Sequence, residues 1–166
     1  MAQVLFISED KLKSSSSING AVDTNLLLPY LKIAQDKNIH IMLGTDLYDK
    51  LMADIAAGSL TGNYATLVND YIQDTLVHYT VAEALPFLGY KLANGNVFRM
   101  DAENATAATN QELNYLVEKA KETAQFYGQR LVDYLCNNTD LFPEYSTNTG
   151  ADICPTTANY FKGLTF

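Results

Sequence analysis

The chain has no tryptophan and carries only two cysteines, two histidines, four prolines and eleven basic residues in 166. Each shortage excludes something. Cys136 and Cys154 are too few for a disulfide framework and lack CxxC spacing, so both are expected as free thiols. His40 and His78 fall on different predicted helices, with no HExxH pair and no second ligand at usable spacing. No metal, no cofactor and no catalytic residue is therefore expected. The glycines form neither GxGxxG nor the P-loop pattern and GxSxG is missing, so nucleotide binding and acyl transfer have no motif to rest on. Eleven basic against nineteen acidic residues leave a net charge of -8, the wrong sign for gripping nucleic acid or an anionic membrane. No apolar run approaches the roughly 20 residues that span a bilayer. The opening Met1 to Ile7 has no basic region and a four-residue apolar run, which predicts no signal peptide and synthesis in a cytoplasm.

What is present is apolar and aromatic. Apolar residues make up 48% of the chain, with seven Phe and eleven Tyr, enough for one core in one domain spanning 1-166. The expected fold is mainly α: a helical bundle with one long central helix and a packed C-terminal helix. Short β segments are expected near the N-terminus at Val4 to Ile7, at residues 97-100 and near the C-terminus. Ser8 can cap a one-turn helix at Glu9 to Leu12. Leu27, Tyr30, Leu31, Ala34 and Met42 place an amphipathic helix after Asp23 or Asn25, and Pro29 is harmless if Asn25 is the cap. Thr45 is expected to cap a second helix carrying Leu47, Leu51 and Ile55, which Gly58 stops.

Asn63 is expected to begin a rod of about 43 Å that runs to Ala93. Its second half, Val81 to Leu92, is apolar nearly all round and is placed at the buried centre, with a kink near residues 82 to 86 caused by Pro86. Asp101 to Thr109 forms a polar loop. The clearest helix, the long central one, follows a cap at Thr109 or Asn110. Leu113, Val117, Ala120, Ala124, Tyr127, Leu131 and Tyr134 alternate by four and three along it, and Ala120, Ala124 and Gly128 form a row of small residues that admits a neighbouring backbone. Residues 141-166 hold few charges but carry Phe142, Tyr145, Tyr160, Phe161 and Phe166, so this tail is expected to be ordered by packing. Glu83, alone among apolar residues, is expected in an ion pair or hydrogen bond. Asp46, Asp49 and Asp54 are expected on a solvated helix face rather than around a cation.

Several segments in order carry a resemblance: Leu5-Phe6-Ile7-Ser8, Pro29-Tyr30, Ala34-Gln35-Asp36, Leu43-Gly44-Thr45-Asp46-Leu47-Tyr48, Phe126-Tyr127, Arg130-Leu131, Tyr134-Leu135-Cys136 and Asp140 to Tyr145. Together they resemble a family of small proteins from phages and prophages of gut bacteria, including crAss-like phages. That family is similar in helix order to the head-tail connector, or adaptor, proteins of tailed bacteriophages. The resemblance implies a structural virion protein made in the host cytoplasm and located at the neck. It would form a ring, typically of twelve copies, between the portal protein and the next neck or tail protein. An acidic surface would let DNA pass without binding. The expected partner contacts are Val4, Phe6, Val97, Phe98, Arg99, Phe142, Tyr145, Tyr160, Phe161 and Phe166. The insertion Gly95 to Thr109 and the aromatic tail exceed the minimal connector. A stopper or tail-completion protein is the nearest alternative. A ligand- or effector-binding helical module would need a closed cavity near Glu83, and an enzyme would need His40, His78 and Glu83 to converge.

Overall fold

The computed structural model describes residues 4-16, 18, 24-88, 90-93, 96-99, 109-149 and 152-157, with the backbone alone for Thr24, 90-93 and 96-99. The protein is mainly helical. Helix α1 (Glu9–Ser15) starts at Ser8, whose Oγ accepts from Lys11 N at 3.2 Å. Helix α2 runs Thr24–Ala34, widens into π-helical turns at Gln35–Ile39 and closes at His40–Leu43. It begins at Thr24 rather than after an Asn25 cap, so Pro29 lies deeper in the helix than that cap would place it and removes one N–H donor. Helix α3 (Thr45–Ala57) ends at Gly58, where φ is +65 and the N–H faces Asp54 O and Ile55 O. That left-handed turn is the stop expected from the glycine.

Helix α4 comprises Gly62–Thr66, π-helical Leu67–Ile72 and Gln73–Ala84, with Thr61 rather than Asn63 in the cap position. The expected rod to Ala93 is thus cut short. The regular helix stops at Ala84; Leu85 to Leu88 form turns whose N–H groups bond back to Val81 O and Ala84 O, and Pro86 has no N–H to add to the ladder. Strands β1 (Tyr90–Ala93) and β2 (Asn96–Arg99) pair antiparallel with Ala93 opposite Asn96. The expected β segment at 97-100 overlaps β2 as far as Arg99. Residues 94-95 and 100-108 lie outside the described residues.

Helix α5 (Asn110–Asn137) is the longest described, 28 residues. Thr109 and Glu112 form a reciprocal capping box, with Glu112 N donating to Thr109 Oγ1 at 3.3 Å and Thr109 N to Glu112 Oε2 at 2.8 Å. A 3-10 turn (Thr139–Leu141) and the short helix α6 (Pro143–Thr147) follow. Residues 152-157 are irregular, and Val4 to Ile7 is a bend rather than a strand.

The core is one cluster drawn from α1 to α6 and the N-terminal segment, with Leu31, Leu43, Leu51, Leu67, Ile72 and Leu131 fully enclosed. Each such side chain stabilises the fold by about 1.5–3 kcal/mol relative to exposure. The described buried residues of α4 run from Leu67 to Ala84; within the expected centre, Val81 to Leu92, Ala82 and Ala84 are buried, Val81 and Leu88 are half-buried, Phe87 is exposed, and the side chains of 89-92 lie outside the described residues.

Helices α4 and α5 run antiparallel along a ladder of rings. Tyr71 stacks on Tyr134 at 3.9 Å, and His78, one heptad later, stacks on Tyr127, one heptad earlier. Between these rungs Thr75 Oγ1 lies 3.1 Å from Tyr127 O, which satisfies a fully buried hydroxyl. Val117, Ala124, Leu131 and Leu135 of α5 face this packing, as the four-three seam requires. The small residues serve a different neighbour from the one expected. A Cβ on Gly128 would meet Met42 Cε at 2.8 Å and Tyr79 Oη at 3.1 Å, so at Gly128 the space is taken by two large side chains.

Candidate functional site

The feature with the longest reach in sequence is a strap. Leu43 ends α2, Gly44 turns the chain at φ +75 and ψ 161, and Thr45 opens α3. Onto this elbow fold Asn148, Thr149 and residues 152-156, called the strap. Thr45 N donates to Ile153 O at 3.0 Å and Ile153 N donates back to Thr45 Oγ1 at 2.9 Å. Thr156 N donates to Ile41 O at 3.1 Å. Asp46 Oδ2 accepts from Thr149 N and Thr149 Oγ1, and Asn148 Oδ1 accepts from Asp46 N. The expected helix cap at Thr45 is replaced, since Gly44 holds the cap position and the Thr45 hydroxyl serves the strap. Only glycine fits the elbow, because a Cβ there would lie 2.7 Å from Pro155 Cδ and 2.9 Å from Pro155 N.

Tyr145 pins the strap from below. Its Oη donates to Thr156 O at 3.1 Å and lies 3.7 Å from Cys136 Sγ; burial, aided by that thiol, pushes its phenol far above the ordinary tyrosine range. Tyr64 donates from its Oη to Glu144 Oε2 at 2.7 Å. Burial and then that carboxylate raise its phenol to about 12.

A second latch holds the amino-terminal segment. Gln35, only 1% exposed, accepts from Phe6 N at 3.0 Å through Oε1 and donates from Nε2 to Val4 O at 3.2 Å and Tyr48 Oη at 2.9 Å. Gln73 Nε2 donates to Phe6 O at 3.0 Å. Two side-chain amides thus take the place of a neighbouring strand, which is why a β-prone segment stays single. Gln35 begins one π-helical stretch and Gln73 follows the other, where the wider turns re-aim side chains.

Of the expected partner contacts, Phe6, Phe142 and Tyr145 are buried in the chain's own core, and Val4 is half-buried under Gln35. Those three side chains fill the interior of the single chain rather than its exposed surface. Val97, Phe98 and Arg99 lie in β2, with side chains outside the described residues, as are Tyr160, Phe161 and Phe166 entirely. The exposed apolar side chains are elsewhere. Tyr115 and Phe126 of α5 are both 63% exposed and sit eleven residues apart, three turns, on the face opposite Val117 and Ala124, with Leu116 beside them. Leu26 and Ile33 are exposed on α2, and Phe87 stacks on Tyr30 at 5.5 Å. A sequence signal for the first patch existed: Tyr115 and Phe126 are large apolar residues off a seam that is already complete.

The titratable groups are engaged separately. His40 stacks on Tyr48 at 4.2 Å with Nε2 3.2 Å from Thr45 Oγ1. His78 is held below the ordinary imidazole range by burial, against an opposing pull from Asp74. Glu83 pairs with Lys37 at 2.6 Å, and Asp54 with Lys50 at 2.6 Å. Among the described residues no group of three or more His, Cys, Asp or Glu could hold a metal ion, and no helix is long and apolar enough to cross a membrane. Beside Glu83 an open groove of about 380 Å³, bounded by Asn38, Tyr79, Phe87, Val117 and Lys121, separates α2 and α4 from α5.

Fold and latches together define a mainly helical domain onto which two non-helical segments, Val4 to Phe6 and the strap, are held by hydrogen bonds. The chain belongs to the family described as "Family of unknown function (DUF6712)", whose model matches residues 39–155 and so spans both the elbow and the strap. No curated protein and no solved structure matches it.

Proposed function

We propose that the protein is a structural adaptor of a tailed-phage virion, made in the host cytoplasm and forming a ring at the neck between the portal and the next neck or tail protein. The motifs that resemble a family of small phage and prophage proteins, itself similar in helix order to connectors, are the first support. The observation that carries assembly is the presence of two unlike exposed apolar patches, Tyr115, Leu116 and Phe126 on α5 and Leu26, Ile33 and Phe87 around α2. A ring closes by heterologous contact, one patch meeting a different patch on the next copy, and this chain offers such a pair. The net charge of -8 suits a conduit wall that DNA passes without sticking. Twelve copies is the number implied by the resemblance.

Light scattering behind size exclusion, with and without the portal protein of the same phage, tests the reading. The expected result is a ring of defined mass, or a monomer that joins portal, and loss of that assembly in Tyr115→Glu and Phe126→Glu with helicity unchanged. A folded monomer indifferent to portal at high concentration would sink the proposal.

A further inference from the structure

Helix α5 carries a second regular stripe on its outer face. Tyr115, Lys119, Glu122 and Phe126 recur by four, three and four, the spacing of a packing seam, on the side opposite Val117 and Ala124. At about 100° per residue the four fall within a band roughly 60° wide. Both rings are exposed, and the side chains of Lys119 and Glu122 are each more than half exposed. Within the chain Lys119 Nζ reaches Glu122 Oε2 at 2.7 Å. The order of the four is its own complement. When the helix is reversed and laid on itself, Tyr115 falls opposite Phe126, Lys119 opposite Glu122 and, beyond them, Glu112 opposite Gln129. Ring meets ring, cation meets anion, and no like charges are opposed.

We propose that this stripe binds a second copy of the chain, α5 against α5, antiparallel about a two-fold axis that passes between residues 120 and 121. A two-fold contact sets each position against its complement twice over, so the pair gains two Tyr115–Phe126 contacts and two Lys119–Glu122 contacts. Each Lys119 then stands between its own Glu122 and that of the second copy. Four rings burying roughly 100 Å² each, with the Lys and Glu stems between them, make a contact well under the ~1,200 Å² of a stable interface, so the pair is reversible. Pairing goes beyond the ring reading and adds a control to it. While copies are free, each covers the α5 patch of the other, and the patch opens as the pair dissociates. That last consequence alone rests on the ring.

Charge exchange supplies the test. In a concentration series of the full chain without portal, light scattering behind size exclusion should show the mass rising from one chain to two and stopping there, because a two-fold contact closes at two. Lys119→Glu sets acid against acid at both crossings, and Glu122→Lys sets base against base. Each should weaken pairing by roughly tenfold or more, with helicity constant because both positions are exposed. An equimolar mixture of the two variants, or both changes in one chain, restores opposite charges at every crossing and should restore the pair. A wild-type chain that stays single at high concentration, or that assembles past two, would overturn the proposal. So would a pair that either single variant leaves intact or that the mixture fails to rescue. Pairing without portal binding counts against the ring alone, and portal binding without pairing against the pair alone.

Discussion

Replacing Gly44 by alanine tests the strap most directly. The elbow's φ of +75 and ψ of 161 fall in a region open almost exclusively to glycine, so the strain alone costs about 1–3 kcal/mol. The new Cβ would also meet Pro155 Cδ at 2.7 Å and Pro155 N at 2.9 Å. A ring atom and a main-chain nitrogen cannot rotate aside, so the strap must lift. Lifting sacrifices the two bonds between Thr45 and Ile153 and the one from Thr156 N to Ile41 O, each contributing about 1 kcal/mol net. The released residues regain backbone freedom, which offsets much of that. The expected total is about 2–4 kcal/mol in urea unfolding followed by circular dichroism. Amide exchange at Ile153 and Thr156 should accelerate well beyond that of Leu131. In a chain ended after Thr147, the same substitution should cost only the strain, about 1–3 kcal/mol, because no strap is left to displace. Equal cost in the two backgrounds, or a change below about 0.5 kcal/mol in the full chain with Ile153 still protected, would refute the steric argument.

Gln35→Leu strands the Phe6 N–H, the Val4 carbonyl and the Tyr48 hydroxyl together and should destabilise by about 2–4 kcal/mol, with early exchange of the Phe6 amide; an effect confined to α2 would contradict the latch. Because His78 titrates below its ordinary range when folded, the unfolded chain binds the proton more readily. Stability should therefore fall as pH drops through the unfolded histidine range near 6.5 and on past the lower folded value. His78→Gln should flatten that slope, and a slope unchanged in the variant would assign it elsewhere. Tyr64 titrates at about 12 when folded, above the ordinary 10, so its contribution is intact below pH 10 and lost between 10 and 12. Ultraviolet titration of Tyr64→Phe should lack one late-ionising phenol; an undiminished late phase would remove Tyr64 from that role.

Local signals were legible where the cause was local. The cap at Thr109, the stop at Gly58 and the seam from Val117 to Leu131 all depend on neighbours within a turn or two, and the structure realises each. The Tyr71/Tyr134 and His78/Tyr127 ladder was half legible, since heptad-spaced rings stand on both helices, but pairing them needs the antiparallel register. Aromatic tail residues looked like interface because they are large, apolar and in a charge-poor stretch. Phe142 and Tyr145 instead fill space between α3, α4 and α5 that no periodicity announces.

Sequence by itself determined that the chain is mainly helical and where its cleanest helices begin and end. Tertiary structure decided the rest: that Pro86 ends a helix rather than bending it, that Gly44 is a seat for Pro155, and that Gln35 stands in for a β partner. The physical reason is range. Helical pattern records contacts three and four residues apart, whereas Asp46 meets Thr149 across 103 positions, and a contact that distant leaves no period in the chain that makes it.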